Sequence, residues 1–431
     1  MTTLQPPTTP PASPEPAAAA TPETDTETDT GPDTAAGNEP AYSALNPAYP
    51  RSWWMVAFSC DVKGGQRTVP LKVLERDVVL WRDSSGVVHC QAGHCPHLGA
   101  HFGYGGEVVG DHLRCGFHGW RFGASGQLEH VPGPDKPRAG VCIPTHRIVE
   151  KHGALFLWNG AGEPDIEFPD FLAFLKDIGA KEEDVTFHHH RWFLPFPAKW
   201  FGENLADGMH FAIAHDTGEW GDTIVNFETP TTIETENAIY DRRDWWSMAN
   251  IKRRFDRREL INLLTPVVDN VVGTSWGGSV NLVRFAGRPR ILGTIINCWC
   301  PVDADSHYVM DITLVPKSDV PVVGRALEKT IGFVAGLGNW STAIQDAGLM
   351  MHRNEPDNPP YSRRDQGLIA FRRLWDSRVD SDTQLAGDDR RSNGLRAGIK
   401  VKGRTPGGRT IKDSTIKGGT VAHGAERNGA S

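Results

Sequence analysis

The sequence has 431 residues, of which 39% are hydrophobic and 23% are charged, and its formal net charge is −8. This length indicates two or three domains, and the acidic balance excludes a general affinity for nucleic acid or for an anionic membrane. No apolar run approaches the ~20 residues of a membrane-spanning helix, the N-terminus has no secretory-signal pattern, and seven sparse cysteines favour reduced thiols in the cytoplasm over a disulfide framework.

The two ends of the chain differ in composition from the part between them. Residues 1–41 are rich in proline and acidic residues and contain no aromatic residue, Lys or Arg, whereas residues 386–431 are rich in glycine, Lys and Arg. Such segments bury too little apolar surface to offset the entropy of ordering. We therefore predict a disordered N-terminal extension over 1–41 and a disordered basic tail over 386–431.

The first folded part, residues 42–160, is predicted to be a β domain. Lys72–Arg82 and Val87–Gln91 are rich in Val and Leu and flank a turn at residues 83–86. Trp120–Phe122 and Gln127–Val131 repeat this hairpin pattern, and Ala154–Trp158 is an apolar strand.

The second folded part, residues 161–385, mixes helical and strand patterns. Lys199–His215 is predicted to be a helix or a broken helix, and Arg325–Met351 one or two long helices. Strands of a larger sheet are predicted at Val280–Phe285, Ile291–Trp299 and Tyr308–Val315. The fold class is therefore α+β, with an all-β domain followed by a mixed domain of helices and antiparallel sheet.

Two clusters of metal-binding residue types are predicted to be structural. His188, His189 and His190 are consecutive, and neighbours in a strand face opposite ways, so the three cannot easily converge on one metal. Cys298 and Cys300 lie two residues apart and share one strand face, which predicts a buried pair of thiols.

Two Cys–His pairs form the first metal-ligand motif. Cys95, His97, Cys115 and His118 have the spacing C-x-H-x17-C-x2-H within the β domain. Two thiolates on one iron and two imidazoles on the other are the ligands of a Rieske [2Fe-2S] cluster. The alternative is a structural zinc site, but zinc modules usually pair Cys with Cys and His with His at short spacing. The mixed pairs favour the Rieske cluster.

A second motif has the pattern Asn204-x2-Asp207-x2-His210-x4-His215. Steps of three residues place Asn204, Asp207 and His210 along one face of a helix. A step of five turns about 140° net, so His210 and His215 can meet at one metal only if the helix breaks or bulges between them. Two His and one carboxylate form the facial triad of mononuclear non-haem Fe(II) sites, whereas the alternative is two structural histidines.

The third ligand of such a triad must be a carboxylate from another position. The candidates are Glu203, Asp207, Asp216 and Asp346. Asp346 lies in an otherwise apolar stretch of a predicted helix, where a carboxylate is costly unless it is paired or bound to metal. We therefore predict Asp346 as the third ligand, the alternative being an exposed helix residue.

Together these motifs resemble the large (alpha) subunit of Rieske non-haem iron oxygenases, from about Trp53 to about Arg378. Within that family the chain looks most similar to the single-subunit branch of aminopyrrolnitrin N-oxygenase and the ketosteroid hydroxylases. The matching segments are Cys95–Ala100, Cys115–Trp120, Asn204 to His215, Asp346, and, less specifically, Gly126–Gly133, Asn358–Tyr361 and Phe371–Trp375.

The resemblance implies a terminal oxygenase whose catalytic domain is of the helix-grip type. Its cofactors would be one Rieske cluster and one mononuclear Fe(II), with O2 as co-substrate. NAD(P)H would act only through a separate reductase, with or without a ferredoxin, and this sequence has no nucleotide-binding G-x-G-x-x-G in a strand-to-helix context. The expected reaction is mono-oxygenation of a bulky apolar, aromatic or polycyclic small molecule. N-oxygenation of an arylamine and desaturation are the alternatives.

The resemblance also implies a homotrimer with electron transfer between neighbouring subunits. Asp207 would link His118 of one chain to His210 of the next by hydrogen bonds, and Asn204 would lie beside the iron ligands.

Two functions of other classes compete with the oxygenase. The chain could be an electron carrier that uses only its Rieske domain, or a redox-sensing or assembly protein whose second half has lost its chemistry. The length beyond residue 160 and the second His pair argue against a simple carrier.

Overall fold

The computed structural model describes residues 42–65, 67–214, 219–241, 270–286, 294–320 and 322–379. Both tails predicted to be disordered, 1–41 and 386–431, lie outside these residues, as do His215 and Asp216 of the second metal motif. The described chain is α+β, as predicted, with small antiparallel sheets in its N-terminal part and one larger sheet with helices after it.

Three small sheets make up the N-terminal part. Their strands are β1 (Trp53–Phe58), β2 (Thr68–Val73), β3 (Arg76–Arg82), β4 (Val88–Ala92), β5 (Glu107–Val109), β6 (His112–Arg114), β7 (Arg121–Phe122), β8 (Leu128–His130), β9 (Thr145–His146), β10 (Ile148–Lys151) and β11 (Ala154–Trp158). The strand orders are β1-β11-β10, β2-β3-β4-β9 and β5-β6-β7-β8, and the pairings are antiparallel. The predicted hairpin of β7 and β8 and the apolar strand β11 are confirmed.

The segment predicted as one strand, Lys72–Arg82, is two strands joined by a tight turn. Leu74 and Glu75 have φ angles of 48° and 63°, which is rare for residues other than Gly, Asn and Asp. The sequence therefore gave no turn signal at this point. Tertiary contacts stabilise the turn, because Leu74 is fully buried and its amide donates to the carbonyl oxygen of Pro301 at 2.7 Å.

One antiparallel sheet of seven strands forms the C-terminal part of the described chain. Its strands are β12 (Val185–Leu194), β13 (Glu219–Glu228), β14 (Thr232–Asp241), β15 (Asn270–Trp276), β16 (Val280–Ala286), β17 (Ile295–Asp303) and β18 (Ser306–Pro316), in the order β12-β18-β17-β16-β15-β14-β13. The predicted strands at Val280–Phe285 and Tyr308–Val315 are confirmed. The strand predicted at Ile291–Trp299 begins later, because β17 starts at Ile295, and residues 291–293 lie outside the described residues.

Helices cover one face of this sheet. They are α1 (Ala198–Leu205), α2 (Gly208–Ala214), α3 (Val323–Met350) and α4 (Gln366–Arg378), with short 3-10 turns at Ser59–Asp61, Ala173–Ile178, Glu182–Asp184 and Arg363–Asp365. The predicted segment Arg325–Met351 is therefore one long helix, which ends at Met350. In the part of the chain that the structure describes, no helix has the length and apolarity needed to cross a membrane.

The helix carrying the second metal motif is interrupted at residues 206–207, before His210. The prediction that Asn204, Asp207 and His210 share one helical face is therefore wrong. The reason is local, because the Asp207 carboxylate accepts a hydrogen bond from the Met209 amide at 2.9 Å and so begins a new helix. The helix α2 ends at Ala214, immediately before His215.

Two glycines bring the long helix α3 close to the sheet edge. A side chain at Gly332 would overlap the ring of His188, and one at Gly336 would overlap the ring of His190. His189 faces the other way, where its Nε2 lies 2.8 Å from the carbonyl oxygen of His152. The alternation predicted for these three histidines is confirmed, and His188 and His190 pack beneath α3.

A single apolar core connects the N-terminal and C-terminal parts. It includes residues of β1, β11, the large sheet, α1 and α4. The Met55 amide donates to the Cys298 Sγ at 3.3 Å across this junction, and Cys298 and Cys300 are both buried, as predicted. A second, smaller core lies around Cys95 and Cys115. The loops that carry these cysteines are thus supported by a core of their own.

Candidate metal centres

The two Cys–His loops of the N-terminal part have the same backbone geometry. The Cys95 amide donates to the Ala100 carbonyl at 2.9 Å, and the Cys115 amide donates to the Trp120 carbonyl at 2.8 Å. One residue before each acceptor, Gly99 and Gly119 donate back to the carbonyls of the two cysteines at 2.9 and 3.0 Å. Each loop therefore turns its Cys and its His towards the other loop.

Glycine is required in these loops for two different reasons. Gly99 and Gly119 have φ angles of 75° and 71°, in the left-handed region that other residues rarely adopt. Gly116 has no such angle, but a Cβ there would overlap the carbonyl oxygen of Gly105. The second loop therefore packs directly against the backbone of the chain that leads into β5.

The two imidazoles of the motif lie side by side at the surface end of the loops. The ring centroids of His97 and His118 are 4.7 Å apart, and His97 stacks on Trp120 at 4.2 Å. The Nδ1 atom of His97 is buried and has no hydrogen-bond partner among the described residues, which suits a ring nitrogen that binds metal. His118 is exposed, together with Leu98 and Phe117.

The two thiols form the buried end of the same arrangement. Cys95 and Cys115 are 2% and 3% exposed. Burial raises the pKa of the Cys95 thiol to about 11, and its neighbour Cys115 adds to that effect. The Cys95 thiol is therefore neutral without metal, and iron binding would release its proton. Two buried thiols and two outer imidazoles fit the ligand set of a Rieske [2Fe-2S] cluster.

The structure brings together two predicted ligands of the second metal centre that are far apart in sequence. His210 on α2 and Asp346 on α3 approach each other, with 3.9 Å between His210 Nε2 and Asp346 Oδ1. Asp346 is only 5% exposed, so the alternative of an exposed helix residue is wrong. A buried carboxylate facing an imidazole nitrogen is suited to share a metal ion with it.

The orientation of the His210 ring is set by its own helix. His210 Nδ1 lies 2.6 Å from the main-chain carbonyl oxygen of Asp207 and donates to it, which places the proton on Nδ1. Nε2 is then the ring nitrogen that approaches Asp346. This is the arrangement in which a second hydrogen bond orients a metal-binding imidazole.

The other candidates for the third ligand have different positions. Glu203 is 1% exposed and pairs with Arg353 and Arg372 at 2.6 and 2.8 Å, so its carboxylate is already engaged. The Asp207 carboxylate caps α2. Asp216 lies outside the described residues, and so does His215.

Arg353 and Arg372 are residues that the sequence analysis missed. They connect Glu203 of α1 to the segment after α3 and to α4, so they hold the end of α1 in place next to the helix break. Glu203 could have indicated these two arginines, because a buried acid in an apolar helix needs a cationic partner. Asn204 is also buried, and its Nδ2 has no hydrogen-bond partner within the described part of the chain.

Within the described residues, no three His, Cys, Asp or Glu side chains converge on a single point that could hold one metal ion. The first motif divides its ligands between two ends, and the second has His215 outside the described part.

Comparison with known proteins identifies the N-terminal part. Residues 52–148 match the family of the Rieske [2Fe-2S] domain. The match includes Cys95, His97, Cys115 and His118, so the cluster predicted from their spacing is confirmed at the level of the domain, and the zinc alternative is wrong.

Two relatives show how far the similarity extends. The chain is 35% identical to cholesterol 7-desaturase of Bombyx mori over 180 residues, which is 41% of this chain and 37% of that protein. It is 23% identical to the oxygenase component of 3-ketosteroid-9-alpha-monooxygenase of Rhodococcus rhodochrous over 344 residues, 77% of this chain and 84% of that protein. The aligned part of this chain therefore covers only 37% of the length of the desaturase.

The fold of the whole described chain also has counterparts among solved structures. The oxygenase in a ferredoxin complex of carbazole 1,9a-dioxygenase aligns with a TM-score of 0.55 at 15% identity, over 80% of this chain and 94% of that one. The similarity at this identity concerns the fold, which is that of a Rieske domain joined to a sheet-and-helix domain.

Proposed function

We propose that this chain, which carries a Rieske [2Fe-2S] domain and is homologous to the oxygenase components of Rieske oxygenases, is a terminal oxygenase. The observation that carries the proposal is the approach of His210 and Asp346 to 3.9 Å at a buried position in the same chain. A simple electron carrier would have no use for that pair. An oxygenase needs a cluster that supplies electrons and a second iron site that activates O2, and this chain has candidate residues for both.

When bound, the cluster stores and passes single electrons, and the mononuclear iron binds and activates O2. The residues of this chain supply the ligands and their environment. Cys95 and Cys115 would bind the cluster through their buried thiolates, and His97 and His118 through their outer imidazoles. His210 and Asp346, with His215 as the second histidine expected from the sequence, would hold the single iron.

The exposed end of the cluster site supports an external electron donor. His118 is exposed, and Leu98 and Phe117 beside it are 65% and 63% exposed. A separate reductase, with or without a ferredoxin, would deliver electrons there from NAD(P)H. One structural relative is known in complex with a ferredoxin, which supports this part of the proposal.

We also propose that the protein assembles as a homotrimer in the cytoplasm, with Asp207 connecting the two metal centres across a subunit boundary. Asp207 is half-buried and its main-chain carbonyl already orients the ring of His210. Its carboxylate can cap α2 and still present a second oxygen to an imidazole of a neighbouring chain. The position of Asp207 at the helix break supports this role.

The substrate that we propose is a bulky, largely apolar ring compound. Support comes from relatives named for cholesterol and for a 3-ketosteroid. Because some relatives are named as desaturases, removal of two hydrogens is the second candidate reaction beside mono-oxygenation. N-oxygenation of an arylamine stays a prediction of the sequence, as does the branch within the family.

Iron content and isotope labelling test the proposed function. A terminal oxygenase should contain about three irons per chain, whereas a carrier should contain about two. With reductase, reducing equivalents and ¹⁸O2, mass spectrometry should show one ¹⁸O in the product of a mono-oxygenation. A product lighter by two hydrogens without ¹⁸O identifies desaturation. Two irons per chain and no substrate-dependent O2 uptake would reject the oxygenase.

Substitution of Asp207 separates its possible roles. Asp207→Asn should retain the helix cap, because Asn caps about as well as Asp, whereas Asp207→Ala should lose about 1 kcal/mol of stability. Both variants should keep both metal centres. Turnover should fall by about 100-fold or more in both, because neither couples the imidazoles. Rapid mixing of pre-reduced protein with O2 and substrate should show slow reoxidation of the cluster.

Two results would contradict this role of Asp207. Normal reoxidation in Asp207→Asn together with slow reoxidation in Asp207→Ala would reduce Asp207 to a helix cap. Loss of the mononuclear iron in both variants would instead make it a ligand.

A further inference from the structure

A row of polar side chains crosses five strands of the large sheet. The cross-strand partners are Ser275, Asn281, Asn297, Asp311 and His190, on β15, β16, β17, β18 and β12 in turn. Residues directly opposite each other on antiparallel strands point to the same face of the sheet. These five side chains, called the polar row below, therefore form one continuous line.

The polar row is buried but incompletely paired. Ser275, Asn281, Asn297 and Asp311 are each more than nine-tenths buried, and His190 is half-buried. Every member has one enclosed atom without a hydrogen-bond partner among the described residues. These atoms are Oγ of Ser275, Oδ1 of Asn281, Asn297 and Asp311, and Nε2 of His190. Such atoms destabilise a closed core. Five in one line therefore indicate a surface built to bind polar groups.

The position of the polar row connects it to the iron site. Near one end Asn339 of α3 donates to Asp311 Oδ2 at 3.1 Å, and α3 also carries Asp346. At the other end, Ser275 and Asn281 line a small cavity together with Leu205 and Ala206. The helix break that leads to His210 begins at this end. The polar row therefore lies beneath α3, which carries Asp346, and beneath the helix break that leads to His210.

The chemistry of the polar row suits a neutral ligand. None of its members is Lys or Arg, so an anion would find no cation in the row itself. Burial raises the pKa of Asp311 to about 8, which keeps this carboxyl largely protonated and neutral at pH 7. The hydroxyl of Ser275 can donate or accept, and the amide oxygens of Asn281 and Asn297 accept. A group that both donates and accepts fits this set best.

We propose that the polar row recognises an uncharged hydrogen-bonding group of the substrate, with a ring hydroxyl as the best fit, and so decides which edge of the ring system faces the iron. This inference rests on the proposed function, because it assigns the row to the substrate of that oxygenase. It adds one polar group to the apolar ring compound expected from the sequence.

Binding of three matched probes tests the assignment. The probes are 5α-androstan-3β-ol, 5α-androstan-3-one and 5α-androstane, which share one ring skeleton and differ in the oxygen. Equilibrium dialysis with the full chain should show about tenfold tighter binding of the alcohol than of the hydrocarbon, with the ketone between them. Asn297→Leu and Asn281→Leu should each bring the alcohol to within about twofold of the hydrocarbon. Asn226→Leu, the same change at an exposed position of β13, should keep the wild-type preference.

Thermal unfolding without probe gives a second readout that a purely structural role would not produce. Leucine has nearly the shape of asparagine and removes an unpaired amide oxygen, so Asn297→Leu and Asn281→Leu should unfold at the same or a higher temperature than the wild type. A drop in unfolding temperature with the alcohol preference intact would show that the row is structural and would overturn the proposal.

The remaining outcomes separate this inference from the proposed function. Equal or undetectable binding of all three probes by the wild type overturns the polar row as a recognition surface, whether or not the protein consumes O2. A clear preference for the alcohol that both leucine variants lose supports the row even if no substrate-dependent O2 uptake is found. In that case the proposed oxygenase function fails by itself.

Discussion

Serine in place of Cys95 is expected to remove the visible absorbance of the Rieske cluster. A serine hydroxyl is a poor ligand for iron, and the thiol at this position is 2% exposed and points at Cys115, so no other thiolate can replace it. The variant should contain little or no cluster iron, and activity with reductase should be lost. The measurements are the ultraviolet–visible spectrum and iron and sulfide analysis.

Cys90→Ser is the matched control for this prediction. Cys90 is a buried cysteine on the neighbouring strand β4 and lies outside both loops. The control should keep the cluster, so its loss in Cys95→Ser would be due to ligation and not to the removal of a buried thiol. His118→Ala, at an exposed position where the folding cost is small, should also lose the chromophore. An unchanged cluster spectrum in Cys95→Ser and His118→Ala would refute the ligand assignment.

Alanine in place of Asp346 is expected to remove the mononuclear iron and leave the Rieske cluster intact. Loss of groups that only support metal ligands typically weakens metal binding by about 10–100-fold, and removal of a ligand should exceed that. The variant should therefore show about two irons per chain instead of three. Substrate oxidation should be abolished, while the cluster still accepts electrons. Iron analysis and the cluster spectrum are measured on the same sample.

The helix α3 offers a control for Asp346→Ala. Glu328 is another buried acid on this helix, but its carboxylate accepts a hydrogen bond from the Ser318 amide at 2.6 Å near the start of the helix. Glu328→Ala should retain all of the iron even if it lowers stability. Full mononuclear iron in Asp346→Ala, with loss of it in Asp207→Ala, would transfer the ligand role to Asp207.

The cluster motif could be predicted from the sequence because its chemistry is local. Each Cys–His pair sits within one short loop, where glycines and main-chain hydrogen bonds between near neighbours determine the geometry. The four ligands come together once these two loops lie side by side. The α+β class, the hairpin of β7 and β8, and the burial of Cys298 and Cys300 were predictable for the same reason, since they follow from short-range patterns.

The helix break before His210 was not predictable from periodicity. Steps of three residues suggested one continuous helical face, but an Asp side chain can cap a new helix wherever the chain finds room to turn. Asp207 does so through the Met209 amide, and the buried pairing of Glu203 with two arginines holds the preceding helix in place. Whether the helix continues through Asp207 or restarts there therefore depends on these distant partners as well as on the local cap.

The sequence by itself determined the ligand types, the cluster loops and the order of the two parts of the chain, because spacing and residue chemistry act over a few residues. Only the tertiary structure decided that Asp346 meets His210, that Glu203 is engaged elsewhere, and that Asn281, Asn297 and Asp311 align across the sheet. These relations join positions far apart in the chain. They depend on strand register and helix packing, in which a shift of one residue turns a side chain to the opposite face.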